Sequence, residues 1–227
     1  MLENSIEENK KLIEKFPFLL PRNRFTDKVP KDYDYSYTEL DDMPDGWRKA
    51  FGIQMCQEIR DDLIQFDYLD KYRIVQIKEK FGGLRWYDNG TPIKYGEAEE
   101  FTIPTNEKVW DYNKEGYWTY VDHRDDTLQY CVRKKIVKQS KVPDIISKYE
   151  NLSYKICINC GKPARWESKG WISPFCDDCV NEYIMERNKE KDDDKIIIIE
   201  DCYRPLESNE TLTIEELEEI YMENFEV

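Results

Sequence analysis

Apolar residues recur every three or four positions in some parts of this chain and every second position in others, and the two periods mark out its elements. From Trp47 the series Phe51, Met55, Ile59, Leu63 and Phe66 advances by four, four, four, four and three, which predicts one buried helical stripe opened by Asp45. Residues 3–16 predict a short amphipathic helix. Ser5 and Glu8 make a capping box, Leu2, Ile6, Ile13 and Phe16 approximate one face, and Pro17 and Pro21 stop it. Pro143 opens another helix, to about Asn151, with Ile145, Ile146 and Tyr149 inward. Thr213 with Glu216 caps a last one, whose stripe is Ile214, Leu217, Tyr221 and Phe225.

The remaining apolar runs read as strands. Tyr72–Tyr87 has a β-branched run, a Gly82-Gly83 break and an aromatic run, so two strands are expected around a tight turn, with Asn89-Gly90 as a second turn. A phosphate loop needs more glycines and a helix after them, so Gly82-Gly83 reads as structural. Residues 91–138 alternate short apolar runs with turn signals, the pattern of an antiparallel sheet. His123, the single histidine, falls in a charged turn of that block. Ile196–Ile199 reads as a buried strand returning to the main domain, and the Tyr- and Asp-rich stretch from Arg22 to Met43 as a loop pinned by rings.

These elements predict an α+β fold: an antiparallel sheet of short strands with flanking helices and an inserted four-cysteine module. The expected parts are a main domain over 1–150, a metal-binding module over 151–191, and a strand plus acidic helix over 192–227.

The module rests on Cys157-Ile158-Asn159-Cys160 and Cys176-Asp177-Asp178-Cys179. Two such knuckles at this separation offer four thiolates to one tetrahedral ion, the ligand set of a structural zinc site, although a single iron would accept the same sulfurs. Four protein ligands leave no open position for water, so the ion is expected to hold the fold and not to catalyse. Disulfides need an oxidising compartment, which nothing in the chain suggests. Cys56, Cys131 and Cys202 sit in apolar neighbourhoods and read as small core residues.

Charge changes the functional picture more than composition does. The 227 residues carry a formal net charge of −14, and from Glu182 to Val227 there are 16 acidic and 5 basic residues. Such a surface repels phosphate backbones and attracts basic partners. Arg133, Lys134, Lys135 and Lys138 form the one basic cluster, the candidate nucleic-acid contact. No apolar run approaches membrane-spanning length and the N-terminus does not read as a leader, so no membrane partner is expected and the location is read as cytoplasmic.

Three blocks also carry a resemblance: Tyr35–Gly52, Gln76–Tyr87 with its Lys78-Glu79-Lys80-Phe81-Gly82-Gly83-Leu84-Arg85-Trp86-Tyr87 core, and Cys157–Cys179 with Gly170-Trp171-Ile172-Ser173-Pro174. In the same order they resemble blocks of small bacteriophage and prophage proteins. The resemblance covers about half the chain and implies phage provenance, hence a host cytoplasm, and a bound zinc, but no reaction.

The function expected from these readings is protein–protein binding without catalysis. Glu215, Glu216, Glu218, Glu219 and Glu223 on the last helix are the candidate partner-binding residues, directed at a host protein with a basic surface. An anti-defence inhibitor of the anti-CRISPR kind is one concrete form. Direct nucleic-acid binding, through the basic cluster and the module's Lys155, Lys162, Arg165, Lys169, Trp166 and Trp171, is the alternative. An enzyme built on Asp41, Asp42, Asp88 and Arg85 is a third reading.

Overall fold

In the computed structural model, which describes residues 4–23, 25–109, 116–189, 196–207, 212–213 and 215–216, the Trp47 stripe is a helix in three pieces. They are α2 (Asp45–Trp47), a π turn (Arg48–Gly52) and α3 (Ile53–Ile64). A spacing of four overshoots the 3.6-residue α-helical turn, and the wider π turn takes up part of that drift. Trp47, Phe51, Met55, Ile59, Leu63 and Phe66 accordingly all stay buried. Before them, α1 (Ile6–Lys15) starts at Ser5, whose hydroxyl accepts from the Glu8 N–H while the Glu8 carboxylate accepts from the Ser5 N–H at 2.7 Å. The loop up to Met43 is pinned as expected: the Tyr33 ring meets Tyr35 at 4.9 Å and Tyr37 at 5.5 Å, and Asp41 pairs with Arg48.

The next two strands, β1 (Ile74–Lys80) and β2 (Gly83–Asp88), form an antiparallel hairpin. Its two turn residues are Phe81 and Gly82, both left-handed at φ 54 and 77, so the break lies one residue earlier than Gly82-Gly83 suggests. Gly83 already belongs to β2, where a Cβ would meet the Tyr154 ring at 2.4 Å. The outer edge of β2 is closed by α4 (Val142–Ser153). Ser153 Oγ accepts from the Leu84 N–H at 2.8 Å, and Glu150 Oε1 from the Trp86 N–H at 3.1 Å. Tyr149 and Val142 of the same helix are fully buried with Trp47, Leu63 and Leu84 in the main core.

At the base of the hairpin, the Trp86 indole donates to the Tyr72 hydroxyl at 3.0 Å, which donates to Asp88 at 2.9 Å. Burial first, and then the Asp88 charge, hold the Tyr72 phenol well above its ordinary pKa. Tyr72→Phe leaves a buried indole N–H unpaired, so chemical denaturation should show a loss of about 1–3 kcal/mol. A loss below about 0.5 kcal/mol would mean the network adds nothing.

The chain divides into two compact units, Met1–Gly90 with Val142–Val227, and Thr91–Lys141. The second is a three-stranded antiparallel sheet in the order β3 (Ile93–Pro104), β5 (Leu128–Gln139), β4 (Tyr117–Arg124). His123 lies within β4 and not in a turn, opposite Tyr130, because a bulge at Asp122 prolongs the pairing to Arg124. The turn is made instead by Asp125, whose carboxylate accepts from the Thr127 and Leu128 N–H groups.

In the first unit the chain continues past α4 into the cysteine module: β6 (Trp166–Ser168), β7 (Pro174–Phe175) and α5 (Asp177–Lys189). The four isoleucines do not form a strand. Asn188 clamps Ile197 in both directions, accepting from its N–H at 2.8 Å and donating to its carbonyl at 2.9 Å. Asp201 accepts from the Ile198 N–H at 3.1 Å, which starts the turn of α6 (Ile199–Cys202). The returning strand is β8 (Tyr203–Pro205), and its partner is β6 inside the module. Val180, Ile184 and Tyr203 make a second, smaller core there, against which Ile197 and Ile199 pack. No described helix is long and apolar enough to cross a membrane.

Candidate metal centre

The first knuckle is shaped by backbone hydrogen bonds that turn it on itself. The Cys157 N–H donates to the Lys162 carbonyl at 2.8 Å and the Gly161 N–H to the Cys157 carbonyl at 3.0 Å, with Gly161 left-handed at φ 84. The second knuckle straddles the start of α5: Cys176 precedes it, Cys179 lies in its first turn, and the Val180 N–H donates back to the Cys176 carbonyl at 3.1 Å. Spacing of i and i+3 on a helical turn puts both sulfurs on one side. The knuckles meet where the Ile158 N–H donates to the Pro174 carbonyl at 3.0 Å.

All four Sγ atoms lie within 4.8 Å of one another, and those of Cys160 and Cys176 are 3.4 Å apart. Four Zn–S bonds of about 2.3 Å in a tetrahedron separate the sulfurs by about 3.8 Å, so the set fits one ion of that size. Among the described residues no other His, Cys, Asp or Glu group comes close enough to hold a metal. Cys157 and Cys176 are buried, Cys160 and Cys179 half-buried. Burial and then the neighbouring Cys157 push the Cys179 thiol far above its ordinary value. Thiolates gathered this closely need a cation to offset their charge, and a divalent ion binds such a set by displacing the thiol protons.

The site is fastened to the main core through close backbone approach. The Gly46 N–H donates to the Ile158 carbonyl at 2.8 Å, and the Trp47 indole donates to the Ile156 carbonyl at 3.0 Å, fully buried. A Cβ on Gly46 would fall 2.1 Å from the Cys157 carbonyl oxygen, and one on Gly161 would fall 2.7 Å from the Gly46 carbonyl oxygen. Gly161 follows the first cysteine pair, where a knuckle is expected to turn, whereas Gly46 is not evident as a site residue from its spacing. The signal available was a glycine inside a helix directly before its largest apolar residue, where alanine is better by about 1 kcal/mol.

The other candidate residues are dispersed. Arg133, Lys134, Lys135 and Lys138 all lie on β5, where alternation sends Arg133 and Lys135 to one face and Lys134 to the other. Arg133 is ion-paired to Glu99 at 2.8 Å and sits over the Phe101 and Tyr117 rings. Glu215 and Glu216 are exposed, and the expected cap is present, with the Glu216 N–H donating to Thr213 Oγ1 at 3.1 Å. Glu218, Glu219 and Glu223 lie outside the described residues, as does the Ile214, Leu217, Tyr221 and Phe225 stripe. Asp41 is engaged by Arg48, Asp88 by Tyr72, and Arg85 by the Tyr154 hydroxyl, in three separate structural contacts. Buried Cys56 and Cys131 serve as small core residues, and Cys202 packs at the edge of the second core.

Fold and site together define an α+β protein with a zinc-ribbon-like module whose four cysteines can hold one metal ion. Comparison with protein-family models, with curated proteins and with solved structures finds no match to any of them.

Proposed function

We propose that this chain is a phage-type accessory protein, braced by one structural zinc, that acts by binding a host protein with a basic surface. An anti-defence inhibitor of the anti-CRISPR kind, set against a host protein that binds nucleic acid, is the form this reading takes. The observation that carries it is the partition of charge. Thr91–Lys141 holds nine acidic and nine basic residues and is neutral, so the whole net charge of −14 belongs to the unit that contains the cysteine module and the acidic C-terminal stretch. Carboxylates concentrated in this way offer a basic groove the negative charge that phosphates otherwise bring. The zinc rests on the sulfur-only ligand set and its spacing.

The test is titration against a panel of purified host defence nucleases. Inhibition is expected that weakens as salt rises, and that falls at least about tenfold when Glu215, Glu216, Glu218, Glu219 and Glu223 are all changed to Gln. Unaltered nuclease activity across the panel, or inhibition indifferent to the five changes, would sink the reading.

A further inference from the structure

The tip of the β1–β2 hairpin and the loop between β6 and β7 bring two large exposed rings together. Phe81 is 68% exposed and Trp171 75%, yet neither sits on a loose loop. Glu79 fastens both segments: one carboxylate oxygen accepts from the Gly82 N–H at 2.7 Å, the other from the Trp171 indole at 2.9 Å. A Cβ on Gly82 would meet Ile172 at 3.1 Å, so turn and loop are in contact. Phe81 is held left-handed at φ 54, a conformation that costs a bulky residue about 1–2 kcal/mol and that Asn or Gly adopts readily. A solvated phenyl ring returns little packing for that cost and is open to a contact from outside the chain.

Beside the rings lies a cleft of about 320 Å³, lined among others by Gly82, Tyr154, Lys155, Ile172 and the carboxylate-bearing Glu167, which is paired with Arg204. Two cations of the hairpin lie near aromatic rings. Lys80 Nζ lies 5.2 Å from the Phe81 ring centre, and the Arg85 guanidinium 5.9 Å from that of Tyr154. The local charge opposes that of the chain: Ile74–Asp88 and Lys155–Cys179 together hold seven cations and five carboxylates. All five carboxylates are engaged, Glu79 as above, Asp88 by Tyr72, Glu167 by Arg204, Asp177 by Trp166 and Asp178 by Lys162. Lys80 and Lys155 form no ion pair among the described residues.

We infer that this surface binds single-stranded nucleic acid, with Phe81 and Trp171 stacking bases and Lys80, Arg85 and Lys155 facing the phosphates. Flat rings interleaved with cations match a strand whose bases are unstacked, and the cleft takes one base turned inward. A duplex hides its bases and leaves the rings nothing to stack on. The inference stands apart from the acidic-partner reading, since it uses other residues of opposite charge.

The experiment is fluorescence anisotropy of an end-labelled single strand of mixed sequence, about 16 nucleotides long, with the zinc-loaded full-length protein. Saturable binding that weakens with salt is expected, with loss of Trp171 fluorescence. Phe81→Asn and Trp171→Ala should each weaken binding about tenfold, and Lys80→Glu should also flatten the salt dependence. Phe81→Asn relieves the backbone, so its melting temperature should equal or exceed that of the parent, which separates lost binding from lost folding. The inference is overturned by absence of binding at low salt, by binding that these variants leave unchanged, by tighter binding of a duplex of the same sequence, or by preference for a Glu-rich aromatic peptide.

Discussion

Treating the purified protein with a strong chelator, which would strip the proposed zinc, is expected to unfold the cysteine module and destabilise the core it is docked on. Apparent binding energies of structural zinc in small finger peptides are about 10–16 kcal/mol, as large as the whole stability of an ordinary domain at about 5–15 kcal/mol. Without an ion, nothing bonds the four sulfurs gathered within 4.8 Å of one another, and the module's own packing is the second small core around Val180 and Tyr203. Cys157→Ser, at a fully buried ligand, should give the same result without chelator: elemental analysis falls from one zinc per chain to none, and near-ultraviolet circular dichroism from Trp47 and Trp166 collapses. Full zinc content in the variant, or an unchanged melting curve after chelation, would show that the sulfurs are not the ligands or that the fold stands without them.

The second large effect is expected from the smallest change, Gly46→Ala. The added methyl carbon would lie 2.1 Å from the Cys157 carbonyl oxygen and 2.6 Å from the Ile158 backbone, far inside any real contact. Both neighbours are backbone atoms of the cysteine knuckle and already tied down: the Ile158 carbonyl accepts from the Gly46 N–H, the Cys157 carbonyl from the Gly161 N–H, and the Trp47 indole holds the Ile156 carbonyl just before them. No rotamer can relieve the clash, so the module must lift away from the helix and expose Trp47. A loss above about 4 kcal/mol is expected by denaturant titration, far beyond the small gain that alanine brings to a helix. A loss under about 1 kcal/mol would mean that the knuckle and helix adjust to each other freely. Zinc content separates the mechanisms: the ligands are untouched, so metal is expected to remain bound at low temperature while the melting point falls.

Which parts of this molecule could be read from its sequence follows from the distance over which each is determined. Four cysteines in two knuckles need only local turns to face one ion, and the capping pairs Ser5–Glu8 and Thr213–Glu216 span three residues. The Trp47 stripe was legible for the same reason. Its contact with Ile156 was not, because the partners are 109 positions apart and the helix period says nothing about what covers it. The isoleucine run misled because β-propensity describes residues fitted to a pleated surface, whereas here Asn188 and Asp201 take the backbone groups that a ladder would have used. His123 looked like part of a turn because the bulge that carries the strand past Asp122 has no signature in charged residues. The basic cluster illustrates the converse: adjacency on a chain is not adjacency on a face, and a strand divides neighbours between its two sides.

The unit that holds the ion is assembled from two stretches, the first 90 residues and those from Val142 onward. This discontinuity governs the order of events on a ribosome. When Trp47, Phe51 and Leu84 have left the exit tunnel, Tyr149 and Ile156, which bury them, have yet to be translated. The Thr91–Lys141 sheet, by contrast, pairs Ile93 with Gln139 within its own span, so it can close first, while the earlier segment waits with its aromatic residues unshielded. Cys176 and Cys179 emerge later still, and the nascent chain passes through a window of synthesis in which chaperone protection matters most.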